Sequence, residues 1–336
     1  MKKKIKVGII FGGRSAEHEV SLQSAKNILE AIDKDKYEPV LIAIDRTGNW
    51  RLNGKSISGL PHRKVLDVAF PIVHGPFGED GTIQGLLKLA NVPFVGAGVL
   101  GSAIGMDKDV AKRLLRDAGI PIAKFRAVKI NEPISFEQTR RELGLPMFVK
   151  PANLGSSIGI TKVKNKNAFT PAIKMAFQYD TKIIIEEYVA GRELAVAILG
   201  NERPIVSGVC EILTDREFYD YEAKYSDQHG ATIAMPAKIS KAVAEQARKI
   251  SLQVFKVLCC EGMARVDLFL RKDNSVIVNE INTIPGFTSH SMYPKLWQAS
   301  GLGYTELTDR LIKLAMARFK KEQKLKISYQ LQRRDA

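Results

Sequence analysis

The sequence predicts an α/β protein whose N-terminal part is a doubly wound parallel sheet. Three observations carry this. Strand and helix patterns alternate along residues 5–97, the rhythm of parallel strands joined by crossover helices. The strands end in glycine turns, the edge at which open α/β sheets gather ligands. Beyond Gly98 the texture changes to paired strands, one pair around a glycine- and serine-rich loop and another forming a hairpin.

The elements follow in order. "KIKVGIIFGG" reads as a strand entering a glycine turn. Its apolar core, "VGIIF", is too short for the signal peptide that the preceding lysines imitate. "EVSLQSAKNILEAI" has helical spacing, "EPVLIAI" is a second strand, and "VLDVAFPIVHG" a further one ending at His74-Gly75. "TIQGLLKLANVPFVGAG" predicts a helix and a short strand. "DKDVAKRLLRDAGIPIAKF" is a helix closing at Gly119, and "LGLPMFVKPANLGSSIGITKV" a strand, a loop and a strand. "KIIIEEYVAGRELAVAIL" gives two strands about a short connector, and "VSGVCEIL" continues the sheet. "YDYEAKYSDQHGATIAMPAKI" is long, polar and aperiodic, as in an active-site lid. "KAVAEQARKISLQVFKVLCC" is a periodic helix, and "MARVDLFLRKDNSVIVNEIN" a hairpin turning around "KDNS".

A chain of 336 residues, 45% hydrophobic and 26% charged, has material for two or three domains. No apolar run approaches the roughly 20 residues of a membrane span. Cys210, Cys259 and Cys260 form neither a spaced disulfide framework nor a zinc pattern, and read as buried small hydrophobes. The formal charge of +15 admits an anionic partner. The basic residues are scattered, however, without interleaved aromatics. Their densest cluster, residues 319–336, reads as a solvated helical extension rather than a nucleic-acid arm.

The hairpin poses a chemical question. If its turn is Lys272 to Ser275, Arg271 pairs with Val276, Asp267 lies opposite Glu280, and Arg265 opposite Asn282. Opposed residues share a face, so Arg265, Asp267, Glu280 and Asn282 would form one polar patch. Oxygen ligands of this kind suit Mg²⁺ together with phosphates. A surface salt-bridge ladder is the alternative, and a one-residue slip would place Asp267 and Glu280 on opposite faces. "VKPANLGSSIGI" adds Lys150 at a strand end, followed by small residues that let backbone N–H groups approach phosphate. It matches neither the P-loop nor the dinucleotide pattern. Glu17, in "SAEHEV", could simply favour a helix start.

"EHEVSLQSA", "HGPFGEDGTIQG", "MDKDVAKRLL", "VKPANLGSSIGI", "EEYVAGREL", "YDYEAKY", "ARVDLFL" and "NEINTIPGFTSHSMYP" occur in that order. Together, over about residues 5–318, they resemble the D-alanine–D-alanine ligases, enzymes of the ATP-grasp superfamily. The resemblance implies an N-terminal substrate-binding domain (residues 1–97), central (98–186) and C-terminal (187–318) ATP-grasp parts, and a basic extension (319–336). It implies ATP and two Mg²⁺ or Mn²⁺ ions on Asp267, Glu280 and Asn282, with Glu280 bridging. Lys108, Lys150, Ser157 and Lys224 match phosphate contacts. Glu186, Tyr188 and Val189 match the adenine slot, and Glu193 the ribose contact. Arg265 and the Gly286 N–H match oxyanion donors. Glu17 would meet the first D-alanine's ammonium with His74 near its carboxylate, and Ser291 and the Met292 backbone would hold the second carboxylate. Tyr225 would join Ser156 and Glu17 in one hydrogen-bonded set, and its hydroxyl favours D-alanine over D-lactate as second substrate. The implied setting is cytoplasmic peptidoglycan precursor synthesis by a homodimer joined through the N-terminal domain, with neither nucleic-acid nor membrane partner.

Overall fold

The structure, a computed structural model, describes residues 3–59, 65–213 and 232–326. Its strands form three sheets. The first contains β1 (Ile5–Gly12), β2 (Tyr37–Ile44), β3 (Trp50–Leu52), β4 (Lys55–Ile57) and β5 (Val68–Pro71), in the order β4-β3-β2-β1-β5. β1 runs parallel to both β2 and β5, as the strand–helix rhythm predicts. The sheet also carries an antiparallel β3–β4 hairpin on its β2 edge, absent from the sequence reading. Asn53-Gly54 turns that hairpin, both residues at positive φ, the dipeptide that fits such a turn. The short strand expected after the helix Thr82–Leu89 reduces to an isolated bridge between Ala69 and Phe94.

The second sheet, β6 (Phe125–Lys129), β7 (Met147–Pro151), β8 (Thr161–Val163) and β9 (Lys182–Glu187), has the order β6-β9-β7-β8. Ile183, Ile184 and Ile185 of β9 are fully buried at its centre. The third comprises β10 (Arg192–Gly200), β11 (Ile205–Leu213), β12 (Thr232–Ala234), β13 (Gly262–Leu270) and β14 (Val276–Asn282), ordered β12-β11-β10-β13-β14. β10 lies between β11 and β13 and is buried from Leu194 to Gly200, as its unbroken apolar run requires.

Packing joins the first sheet to the third. Val7, Ile9 and Phe70 share one core with Ala195, Ala197 and residues of the helix Tyr304–Glu322: Leu307, Leu311, Ile312 and Ala315. The buried Arg318 in that helix donates to the carbonyls of Phe94 and Gly96, at 2.8 and 2.6 Å, and pairs with Glu261 at 3.2 Å. A second core lies on the other side of the third sheet, under the helix Lys241–Val257. Cys210 and Cys260 are buried as expected, and burial pushes the Cys210 thiol up to about 12. Cys259 corrects the expectation for all three: it is exposed, in a positive-φ turn just past the helix end.

The hairpin register is a further correction. Leu270, not Arg271, pairs with Val276, so the turn spans Arg271 to Ser275. Counted from there, a regular ladder would set Asp267 against Asn279. A register shift beyond Leu268 leaves Asn279 as the extra residue and restores Asp267 to Glu280 and Arg265 to Asn282. A β-bulge of this kind re-aims side chains where function needs them.

Candidate active site

Two adjoining cavities, of about 150 and 350 Å³, open where the three sheets converge. The smaller is lined by Glu17, His74, Arg265, Asn282, Gly286, Ser291 and Met292. Lys108, Lys150, Ser157, Glu186, Tyr188, Val189 and Glu193 line the larger. Gly155, Ser156 and Glu280 border both. Asp267 is among the lining of neither cavity but pairs with Arg265, which lines the smaller; Lys224 and Tyr225 lie outside the described residues, as does most of the expected lid.

Glu17 immediately precedes the helix His18–Ala31, yet its side chain makes no capping bond. It instead accepts a hydrogen bond from Ser156. The carboxylate is 8% exposed at the cavity wall. Ser156 and Ser157 hold left-handed backbone conformations, with φ of 54° and 60°, strain of the sort that gathers at ligand clamps. Gly75 admits Glu17 closely: a Cβ there would lie 2.9 Å from its Oε2.

His74 is fully enclosed. Its Nδ1 lies 3.0 Å from the Ile284 carbonyl, which can only accept, so Nδ1 carries the proton. Nε2 accepts from the Ser24 hydroxyl at 3.2 Å, and burial pushes the pKa of the ring down. His74 is thus a neutral strut between the turn after β5 and the loop after β14. Glu79, which sequence reasoning missed, braces the same loops. It accepts from the N–H of Gly75 at 2.8 Å and of Ile284 at 3.1 Å. Burial, with the charge of Glu17 added, pushes its pKa up to about 8. The motif "HGPFGEDGTIQG" contains the signal: an acid among glycines, with backbone donors nearby.

Arg265 forms a two-pronged pair with Asp267, at 2.7 and 2.8 Å, and the Asn282 amide donates to Asp267 at 3.1 Å. The neighbours across β10 are Ala195 and Ala197, small enough to leave this face open. Lys108 donates to the Leu154 carbonyl at 2.7 Å, and its Nζ lies 3.8 Å from Glu280. Two carboxylates and an amide oxygen on paired strands have the hard-donor chemistry that Mg²⁺ or Mn²⁺ takes. Beyond Gly286, the Ser291 hydroxyl accepts from the Thr288 N–H at 2.9 Å. A Cβ on Gly286 would meet that hydroxyl at 2.7 Å, so the close backbone approach requires glycine.

In the larger cavity Glu186 is paired with Lys150 and with Lys112, the latter at 2.6 Å. Lys112 is the second residue missed, although its spacing of four from Lys108 places both on one helix face. Burial alone would raise the Glu186 pKa, but the two ammonium groups prevail and bring it to about 2. Its ordinary value is 4.5, so the stabilisation is complete above that pH and is lost as pH falls towards 2. The stability gap between the native protein and Glu186→Gln should therefore narrow by on the order of 3 kcal/mol across that window. Denaturant titrations of both proteins at intervals from pH 5 to 2.5 would measure it, and a constant gap would contradict the triad.

Comparison with known proteins identifies the family. Residues 114–313 match the family described as D-ala D-ala ligase C-terminus, and residues 6–62 and 51–97 match D-ala D-ala ligase N-terminus. A D-alanine–D-alanine ligase of Oceanobacillus iheyensis is 52% identical, covering 98% of this chain and 99% of that protein. D-alanine–D-alanine ligase A of Salmonella typhimurium is 50% identical, covering 94% of this chain and 96% of its own. Among solved structures, the D-alanine-D-alanine ligase from Coxiella burnetii superposes with a TM-score of 0.87 at 38% identity, over 96% of each chain. The VanG D-Ala:D-Ser ligase from Enterococcus faecalis gives 0.85, also at 38% identity, over 93% of this chain and 100% of that one. The fold is the ATP-grasp fold, and the chain belongs to the D-alanine–D-alanine ligase family.

Proposed function

We propose that the protein joins two D-alanines into D-alanyl-D-alanine at the expense of ATP, releasing ADP and phosphate, as a step in peptidoglycan precursor synthesis. The observation that carries the reading is the shared wall: Glu280 and Ser156 border both cavities. A nucleotide in the larger cavity and an amino acid in the smaller would meet there. The carboxylate of the first D-alanine attacks the γ-phosphorus, ADP departs, and an acyl phosphate forms. The amine of the second attacks that carbonyl, the C–O bond to phosphate breaks, and the amine loses its proton.

Both transition states concentrate negative charge, which prearranged donors stabilise. Arg265 and the Gly286 N–H serve the tetrahedral oxyanion. Lys108, Lys150, Ser157 and Lys224 hold phosphates, Glu186, Tyr188 and Val189 the adenine, and Glu193 the ribose. Glu17 takes the first ammonium group, with His74 shaping the wall beside it, and Ser291 and the Met292 backbone take the second carboxylate. Tyr225 completes the set with Ser156 and Glu17. Asp267, Glu280 and Asn282 would hold two Mg²⁺ or Mn²⁺ ions, which when bound neutralise phosphate charge. The reading includes a substrate domain at residues 1–97, ATP-grasp parts at 98–186 and 187–318, a cytoplasmic setting and a homodimer. No helix of the described residues is long and apolar enough to cross a membrane.

The test is phosphate release from ATP and Mg²⁺, with and without D-alanine, products being separated by chromatography. D-alanine-dependent release with dipeptide formation is expected. Release indifferent to D-alanine, or strictly dependent on D-serine or D-lactate, would overturn the assignment.

A further inference from the structure

Glu186 has two cationic partners, and they differ in one respect. The Lys150 side chain, 13% exposed, borders the larger cavity. Lys112, at 5%, lies behind Glu186 on the helix Lys108–Asp117, away from the cavity lining. One carboxylate thus carries two ammonium groups, of which only one can reach a ligand in the cavity.

We propose that Lys112 is a positioning residue: the fixed counter-ion of Glu186 that lets Lys150 leave Glu186 for a nucleotide phosphate. This rests on the larger cavity being the ATP site. When Lys150 turns to phosphate, Glu186 would become a buried charge without a partner, were Lys112 not there. Such charges are strongly disfavoured, and a carboxyl in that position takes up a proton instead. With Lys112 in place the remaining pair is neutral, and Lys150 moves without proton exchange. Several charged groups on the neighbouring elements have partners of their own. On β9, Glu187 accepts from the Lys124 N–H and pairs with Arg271. On β6, Arg126 pairs with Glu142. On the same helix, Lys108 is directed to Leu154 and Glu280. On β10, Arg192 pairs with Glu211.

The experiment compares the native protein with Lys112→Met, Lys112→Arg and the double variant Lys112→Met/Glu186→Gln. A non-hydrolysable ATP analogue with Mg²⁺ is titrated calorimetrically at pH 8 in buffers of different ionisation enthalpy. Lys112→Met should fold, because Lys150 still pairs Glu186 in the free protein. Its affinity for the analogue should fall by about tenfold or more, and binding should take up about one extra proton. Lys112→Arg should restore native behaviour, and the double variant should lose the extra proton. Native affinity without proton uptake in Lys112→Met would overturn the proposal, as would uptake that persists in the double variant. Failure of Lys112→Met to fold would overturn it too, since Lys150 would then not suffice for Glu186. If the native protein binds no analogue, the ATP-site reading itself fails; native binding with an unaltered Lys112→Met removes only the role given to Lys112.

Discussion

Glu280→Gln is expected to slow D-alanine-dependent phosphate release by about 10²- to 10³-fold, the usual consequence of losing one transition-state charge contact. The substitution keeps the size and shape of the side chain and removes its charge. Glu280 borders both cavities, and its carboxylate faces Lys108 across 3.8 Å. Its loss therefore acts at the position where nucleotide and amino acid would meet. The side chain is 27% exposed and lies outside the cores, so the variant should melt within a few degrees of the native protein. Steady-state phosphate release alongside a thermal melt makes the comparison. Near-native dipeptide synthesis by a folded Glu280→Gln protein would sink the assignment of Glu280 as bridging metal ligand.

Arg265→Lys should lower kcat by a comparable factor, about 10² or more, with much less change in the KM for ATP. The lysine keeps a positive charge and loses the planar fork that grips both oxygens of Asp267. A donor that acts on the tetrahedral oxyanion contributes to the chemical step more than to nucleotide binding. Single-turnover measurements separate the two. A rise in the KM for ATP at unchanged kcat would mean that Arg265 serves the nucleotide and not the oxyanion.

Much of this site was legible in the sequence, though not always for the right local reason. Counting outward from a turn of Lys272 to Ser275 pairs Asp267 with Glu280, although the actual turn is one residue longer. The bulge at Asn279 cancels that difference. No periodicity announces a bulge, because it is set by how the strand end must bend rather than by its apolar pattern. Periodicity does not reveal the β3–β4 hairpin, although Asn53-Gly54 marks it, since three-residue strands carry too little alternation to register. Lys112 is hidden for another reason: a buried lysine is recognisable only by its partner, and Glu186 lies on a strand distant in sequence. Tyr188 and Val189 match the adenine slot only by resemblance, and no motif of their own distinguishes them from an ordinary connector, though both line the larger cavity.

The core shared between the first sheet and the helix Tyr304–Glu322 bears on how the protein is made. A ribosome delivers Val7, Ile9 and Phe70 long before Leu311 and Ala315. At about 5–20 residues per second, roughly ten to fifty seconds of synthesis separate the end of the first sheet at Pro71 from the helix that covers it. During that interval the nascent sheet presents an apolar face, the form most open to chaperone capture or aggregation. A polypeptide stopped at Gly303 should stay in that condition, binding a hydrophobic dye and precipitating. A monodisperse, dye-silent product would show that the sheet closes its own core. The helix Tyr304–Glu322 thus closes a core that Val7 and Ile9 open much earlier in the chain, and the enzyme is assembled last where it was started first.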